Sequence, residues 1–540
     1  MLERKVETWL ATVRGGKIKP CEKVINRKME NFNLVMRSIL FIGVNIIVIS
    51  RTSAEEMENL ILPNNLKIGA AGSAYQVEGA WNVSGKGVSN WDWWTHHCPE
   101  CILDHQNGDI ACDSYHKYKE DVALMKNIGI QYYRFSVSWA RILPTGFLNN
   151  VSEAGLQYYR NLIDELLYNG IEPIITLHHF DHPQILEFMG GWTNELMIKW
   201  YVDYARIIFQ ELGPKVKIFT TVNEPQSVCE GYNGTVFSPG ETIPDYVGYY
   251  LCIHNVLKAH ATTYHMYDDE FRPYQHGRIG LNNICDGFYP DTPNDTAYAE
   301  RAFQFTCGLV AHPIYIGDYP SIVKERVALV SKALGYPESR LPTFSPDWIS
   351  YIKGTADFFA LNHYSSQIVT PDTDEARGIY NTDLGVTFSY RESWPTGYLC
   401  YVKVVPEGFR MVLQKIKTYY NNPEIIVTEI GFPDRGELND YSRIKYHRSY
   451  MQEMIKAIKY DGCRVSRYMV WSLMDNFQLD AGYVAKFGLV KVNFDSPNRE
   501  RTPKLSAYWF QKVIQTGILQ DIPTYMQTEP EAESRECLDR

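Results

Sequence analysis

The chain has 540 residues, 45% of them hydrophobic and 21% charged, with a formal net charge of −10. This is the composition of a folded globular protein, and an acidic balance without a Lys/Arg block argues against nucleic acid and anionic membrane surfaces as partners. Aromatic residues reach 14%, with 38 Tyr and 12 Trp, enough to supply flat apolar platforms with polar edges of the kind that hold sugar rings.

The first feature in chain order is the apolar run Ser38–Ser50 (SILFIGVNIIVIS), flanked by Arg37 and Arg51 and too short to span a bilayer. A start at Met36 would give a short basic region, this apolar core and a Thr-Ser-Ala site ending at Ala54, the layout of a signal peptide. Residues 1–54 are therefore expected to be an extension with a signal peptide and Met36 as initiator. The expected destination is the secretory pathway and the cell exterior, a gut lumen or a lysosome-like compartment, with no membrane attachment after cleavage. Sequons at Asn82, Asn150, Asn233 and Asn294 fit that route as glycosylation sites. Eleven cysteines, an odd number, leave at least one unpaired within the chain. Cys98-Pro-Glu-Cys101 has no second pair at zinc spacing, so a local disulfide or plain thiols are expected there and no metal. Residues 518–540 read as a polar tail, and its acidic stretch after Thr528 (EPEAESRE) as solvated and functionally silent.

Residues 60–517 read as one domain without a long linker. Eight apolar β-type runs succeed one another: Leu66–Gly72, Ile130–Phe135, Pro173–Leu177, Lys217–Val222, Arg278–Ile284, Asp357–Leu361, Glu424–Thr428 and Arg467–Trp471. Helical stretches lie between many of them. Ser152 opens one that runs to Gly170. Another follows Thr193, with Trp200, Tyr204, Ile207 and Ile208 near one face and Gly213 at its end. Strands buried on both faces and separated by helices form parallel sheets, and eight such units predict an α/β fold, the (β/α)8 or TIM barrel, with long βα loops. A doubly wound open sheet is the alternative; no Gly-rich dinucleotide fingerprint follows the first run to support it.

Barrel sites lie where strands end. Arg134 with Trp139, His178-His179, Asn223-Glu224, Asn362, Glu429 and Trp471 all stand at or just past such ends. Glu224 follows FTTVN and Glu429 follows EIIVT, so two carboxylates emerge at the mouth from the fourth and seventh strands, which can face each other. Such a pair suits glycoside cleavage, with one carboxyl protonated to assist the leaving oxygen and the other ionised to attack or stabilise the anomeric carbon. Arg134 is the cation expected to keep Glu429 ionised.

The motifs across residues 60–515 resemble glycoside hydrolase family 1, and its insect members in particular. They are, in order, IGAAGSAYQVEGAW, DSYHKYKEDVALMKNIGIQYYRFSVSWARILP, TLHHFDHPQ, TTVNEP, ALNHYSS, VTEIG, YMVWSLMDNFQLDAGYVAKFGLVKVNF and RTPKLSAYWF. The resemblance implies a retaining β-glycosidase acting on a small-molecule or oligosaccharide β-glycoside by double displacement, with Glu224 as acid/base, Glu429 as nucleophile and no cofactor or metal. It also implies sugar ligands: Gln76, His179, Asn223 at the 2-hydroxyl, Asn362, Tyr364 beside the nucleophile, Trp471 as a stacking platform, and Gln478. A thioglucosidase acting on glucosinolates is the main alternative. A transglycosidase and a sugar-binding relative of impaired activity stand behind it, and monomer and homodimer are both open.

Departures from the family pattern fall around the expected sugar subsite. Ile430 stands where the family has Asn after the nucleophile, Phe180 replaces a Trp, and Gln478-Leu479 replaces Glu-Trp. Tyr401, or failing it Trp394, takes the place of the tryptophan facing the aglycone. Gln478 keeps an acceptor but loses a charge. Losing it and the indole contact would weaken glucose recognition by about 2–4 kcal/mol if nothing compensates. Restoring Gln478→Glu and Leu479→Trp is therefore expected to raise activity on aryl glucosides.

Overall fold

The computed structural model describes residues 60–234, 239–240, 242–372, 379–521 and 537–538, the side chains of 379–381 excepted. The chain divides into two compact units, Met1–Leu60 and Ile61–Arg540, and the fold described is that of the second. Met36, the apolar run 38–50 and the cleavage site at Ala54 lie outside the described residues, as does the acidic stretch 529–536.

Eight parallel strands close into a barrel: β1 (Lys67–Ala71), β2 (Tyr132–Ser136), β3 (Glu172–His178), β4 (Ile218–Asn223), β5 (Arg278–Ile284), β6 (Phe359–Asn362), β7 (Glu424–Ile430) and β8 (Arg464–Trp471). The order around the barrel is β1-β8-β7-β6-β5-β4-β3-β2. Each predicted run overlaps a strand, with ends shifted by a few residues. Asp357, expected to open β6, stays outside because its carboxylate accepts the Ile279 N–H at 2.7 Å and an Arg272 N–H at 2.8 Å. The strands are apolar on both faces because both are covered: every residue of β4 is buried. Ile174, Ile218, Phe358, Ala360, Ile426 and Met469 cluster in the core. At Gly69 in β1 a Cβ would run into the Met469 side chain and the Tyr132 carbonyl, so only glycine fits.

The helix Glu153–Tyr168 starts as expected, with Ser152 Oγ accepting the Gly155 N–H at 3.1 Å. The helix Leu196–Leu212 corrects the expected face. Tyr204 and Ile208 are buried, but with Met197, Tyr201 and Ala205, while Trp200 and Ile207 are only half-buried. Lys199, Asp203, Arg206 and Gln210 mark the outer face, and among the aromatic residues hydroxyl chemistry decides which go in. Tyr201 donates to the Thr221 carbonyl at 2.8 Å, and Tyr204 is 2.9 Å from the Val137 and Leu177 carbonyls. These bonds pin the helix to the ends of β2, β3 and β4, beneath the barrel mouth.

Loops after β5 and β6 carry a small sheet of Gly287–Pro290, Ser366–Pro371 and Val386–Ser389. Disulfides join Cys98–Cys101, Cys229–Cys252, Cys285–Cys307 and Cys400–Cys537, and Cys112 and Cys463 are buried free thiols. Cys98 and Cys101 thus form the local disulfide. Within the polar tail 518–540, Cys537 is covalently tied to Cys400, and Leu538 pairs with Leu399. Of the sequon asparagines, Asn82, Asn150 and Asn294 are exposed. Asn233 is half-buried, and its side-chain oxygen accepts the Tyr246 N–H at 3.2 Å.

Candidate active site

At the carboxyl ends of the strands a cavity of about 490 Å³ is lined by both strand-end carboxylates, Glu224 and Glu429, and by Gln76, His179, Phe180, Asn223, Tyr364, Trp471 and Gln478. Glu429 is the sixth residue of β7, and a register shift after Val427, against both neighbouring strands, resets the alternation and turns it into the barrel. Its Oε1 accepts from Arg134 Nη1 at 2.5 Å, and its Oε2 accepts from the Tyr364 hydroxyl at 2.7 Å. Arg134 is wholly buried and spends its fork on three strands. Nε donates to Thr176 Oγ1 at 2.8 Å, Nη2 to Asn223 Oδ1 at 2.7 Å, and Nη1 to Glu429. A fixed, fully paired guanidinium holds the carboxylate in one orientation. Burial, then the charges of Glu429 and Glu224, push the Tyr364 phenol well above its ordinary pKa, so it stays a donor.

Glu224 follows β4 and precedes the short helix Pro225–Glu230, with a left-handed backbone at φ +41°. Its Oε1 accepts from Asn362 Nδ2 at 2.6 Å and its Oε2 from Ser227 Oγ at 2.7 Å. Burial first, then the negative charge of Glu429, raise its pKa to about 7, while the bonds from Asn362 and Ser227 pull the other way. One cavity therefore holds a carboxyl poised to keep its proton near neutrality and a carboxylate locked in an ion pair. This is the division of labour that acid-assisted displacement needs.

The other expected ligands divide. His179 stacks on Trp471 with ring centroids 5.6 Å apart and planes at 9°; burial and the Arg134 charge hold its pKa well below normal, so the ring is neutral. Gln76 is braced by Ser73 Oγ at 2.6 Å and the Phe477 carbonyl at 2.7 Å. Gln478 donates to Asn476 Oδ1 at 2.7 Å. Arg134 and Asn362 stand behind the wall and line none of it. Asn362, expected to touch substrate, instead joins Glu224 to Thr428 and Asn223.

One of the departures sorts differently from the expectation. Phe180, Gln478 and Leu479 do line the cavity, but Ile430 does not. It is fully buried and pairs with Val470 of β8, because the residue after Glu429 must point to the opposite face. Tyr401 lines the cavity, whereas Trp394 packs against Tyr289 with ring centroids 5.9 Å apart. Phe180 and Leu479, like Glu224, have left-handed backbones, at φ +76° and +55°. Such conformations cost about 1–2 kcal/mol in an L-residue and cluster where site geometry is imposed.

Sequence reasoning missed Ser227 and Asp286. Ser227 lies one turn past Glu224 on the following helix, an i+3 spacing that could have flagged it. Asp286 is the second residue after β5, whose end contributed no candidate; it lines the cavity and accepts the Ser365 N–H at 3.2 Å. Burial pushes its carboxyl up to about 6.

Comparison with known proteins agrees with this geometry. The sequence profile of Glycosyl hydrolase family 1 matches residues 59–518. Myrosinase 1 of Brevicoryne brassicae is 44% identical over 459 residues, covering 84% of this chain and 98% of that protein. The cytosolic β-glucosidase of Homo sapiens is 41% identical over 461 residues, covering 84% and 97%. Among solved structures, aphid myrosinase superposes with a TM-score of 0.82 at 43% identity, over 85% of this chain and all (100%) of that one.

Proposed function

The chain belongs to glycosyl hydrolase family 1 and is a β-glycosidase, and from that premise we propose that Glu429 is its nucleophile and Glu224 its general acid and base. Glu429 Oε2 or Oε1 attacks the anomeric carbon as the bond to the leaving group breaks, and Glu224 gives its proton to the departing atom. The sugar is then an ester of Glu429. Water enters, Glu224 takes its proton, and the hydroxyl displaces Glu429 with net retention. The observation that carries this reading is the contrast between the two carboxyls: Glu224 raised to about 7 by burial and by Glu429, and Glu429 fixed by Arg134 and Tyr364. Gln76, His179, Asn223, Trp471 and Gln478 would hold the sugar ring, and Tyr401 the aglycone.

The substrate in this proposal is an O-β-glycoside with an uncharged aglycone. Glu224 supplies the proton that a poor oxygen leaving group needs. Among the described residues, no Lys or Arg lines the cavity, while Asp286 and Asp480 do, so a sulfated aglycone would find no counter-charge there. Likeness to myrosinases supports a second reading, hydrolysis of the S-glycosidic bond of a glucosinolate. A panel of aryl β-glycosides of different sugars plus a glucosinolate, with products followed by mass spectrometry, decides. Turnover confined to the glucosinolate would overturn the first reading.

We further place the mature protein in the secretory pathway. Disulfides are features of oxidising compartments, and three exposed sequon asparagines fit. N-terminal sequencing of the mature protein should begin near Glu55; a terminus well before Ala54 would refute cleavage there.

A further inference from the structure

The segment 396–403 builds one side of the cavity, contributing Leu399, Tyr401 and Val402 to its wall. It is a hairpin-like loop closed by a bridge between Thr396 and Lys403 and a bond from Gly397 N to the Val402 carbonyl at 2.9 Å. On one flank Ser365 fastens it: Ser365 Oγ donates to the Tyr401 carbonyl at 2.8 Å and accepts the Lys403 N–H at 2.9 Å. On another, the chain's own far end fastens it. Cys400 is disulfide-bonded to Cys537, 137 residues on. The Cys400 N–H donates to the Leu538 carbonyl at 3.1 Å, and the Leu538 N–H to the Tyr398 carbonyl at 2.8 Å, a short parallel pairing. Leu538 then packs on the cluster of Leu399, Val402, Trp471, Ala481 and Phe487.

We infer that Cys537 and Leu538 are positioning residues for the substrate's leaving group, an added strap that holds the aglycone wall of the site in its binding geometry. The exposure of Tyr401 places the strap at the aglycone end. Tyr401, next to the strapped Cys400, is 42% exposed at the cavity rim, whereas Gln76, His179, Asn223, Glu429 and Trp471 are all buried deeper in it. Residues 537–538 also lie beyond the family match, which ends at 518, so the strap acts on a barrel complete without it. A covalent tie closing a long loop removes much of the freedom of the joined segment, and a wall ordered before binding spares the ligand the cost of ordering it.

The inference rests on the glycosidase reading, and its test separates the two. The full-length chain is compared with Cys537→Ser and, keeping the disulfide, Leu538→Ala. Three rates are measured: hydrolysis of a bulky aryl β-glycoside, hydrolysis of the β-glycosyl fluoride, which has no aglycone, and water-driven release of a trapped 2-deoxy-2-fluoroglycosyl enzyme, whose aglycone has already left. For Cys537→Ser, kcat/KM on the aryl glycoside should fall about tenfold, through KM, as wall residues must be ordered on binding. The fluoride and the release rate should change less than twofold. Leu538→Ala should show the same split, more weakly, and decides alone if Cys537→Ser does not fold. Equal losses on aryl glycoside and fluoride, or no loss on either, overturn the strap while leaving the glycosidase reading intact. A wild-type chain that hydrolyses none of these substrates and takes no label overturns both.

Discussion

Ser227→Ala should extend activity to higher pH. Ser227 Oγ donates to Glu224 Oε2 at 2.7 Å and so stabilises the ionised carboxylate, the form that cannot protonate a leaving group. A hydrogen bond to a charged group contributes about 1.5–3 kcal/mol and one to a neutral group about 1, so losing the hydroxyl favours the protonated acid by about 0.5–2 kcal/mol. At 1.36 kcal/mol per unit, that raises the pKa by roughly 0.5–1.5 units. Asn362 still donates to Oε1 at 2.6 Å, so the carboxyl keeps its orientation. The assay is the pH dependence of kcat/KM on an aryl glycoside with a poor leaving group. Wild type should lose activity as pH rises through about 7; in the variant this limb should move up, leaving relative activity at pH 8 about fivefold higher for a one-unit shift. A dinitrophenyl glycoside, whose leaving group needs no proton, should show neither limb nor shift. A limb that stays in place or moves down would refute the argument that Ser227 tunes this acid.

The other expectations follow from the same geometry. Arg134→Lys replaces a fork bonded to Thr176, Asn223 and Glu429 by a single ammonium, and kcat should fall about 100-fold or more, with a lower melting temperature from the buried partners left unpaired. Glu224→Gln should stabilise the fold while removing acid catalysis. Wild-type Glu224 titrates near 7 folded against an ordinary 4.5, so below pH 4.5 the group is neutral in both states and costs nothing. Above that the folded state increasingly disfavours its ionisation, by up to about 3 kcal/mol once pH passes 7. The variant should therefore melt higher than wild type at pH 8 and alike at pH 4. Gln478→Glu with Leu479→Trp should raise kcat/KM on aryl glucosides by about 30-fold or more. The new carboxylate cannot donate to Asn476 Oδ1 as Gln478 does, and turns to the cavity; an unchanged kcat/KM would show that these two positions do not set glucose recognition.

The barrel was legible because its strands are short apolar runs, most of them followed by a chemically loaded residue. The strand-end rule found Arg134, His179, Glu224, Glu429 and Trp471 without knowledge of their contacts. It failed where the decisive fact is three-dimensional. Ile430 looked like part of the sugar site because it adjoins Glu429, yet alternation along β7 sends it into the core. Asn362 looked like a ligand, and nothing in the sequence signals that it donates to Glu224 from behind the cavity wall. Trp200 was expected on the buried face of its helix, yet its neighbour Tyr201 goes in, where a carbonyl accepts its hydroxyl. The pairing of Cys400 with Cys537 was the least legible feature. A separation of 137 residues carries no local signal, and the acidic stretch before Cys537 reads as solvated whatever follows it.

The most direct test of the account is where the sugar attaches. Incubation with a 2-deoxy-2-fluoro-β-glycoside bearing a good leaving group should add one fluoroglycosyl mass to the intact protein. Peptide mapping should then put that mass on Glu429, with Glu429→Gln unlabelled and Glu224→Gln still labelled. A label on any other side chain, or turnover of wild type with inversion at the anomeric carbon, would contradict the assignment of Glu429 as nucleophile and Glu224 as its acid.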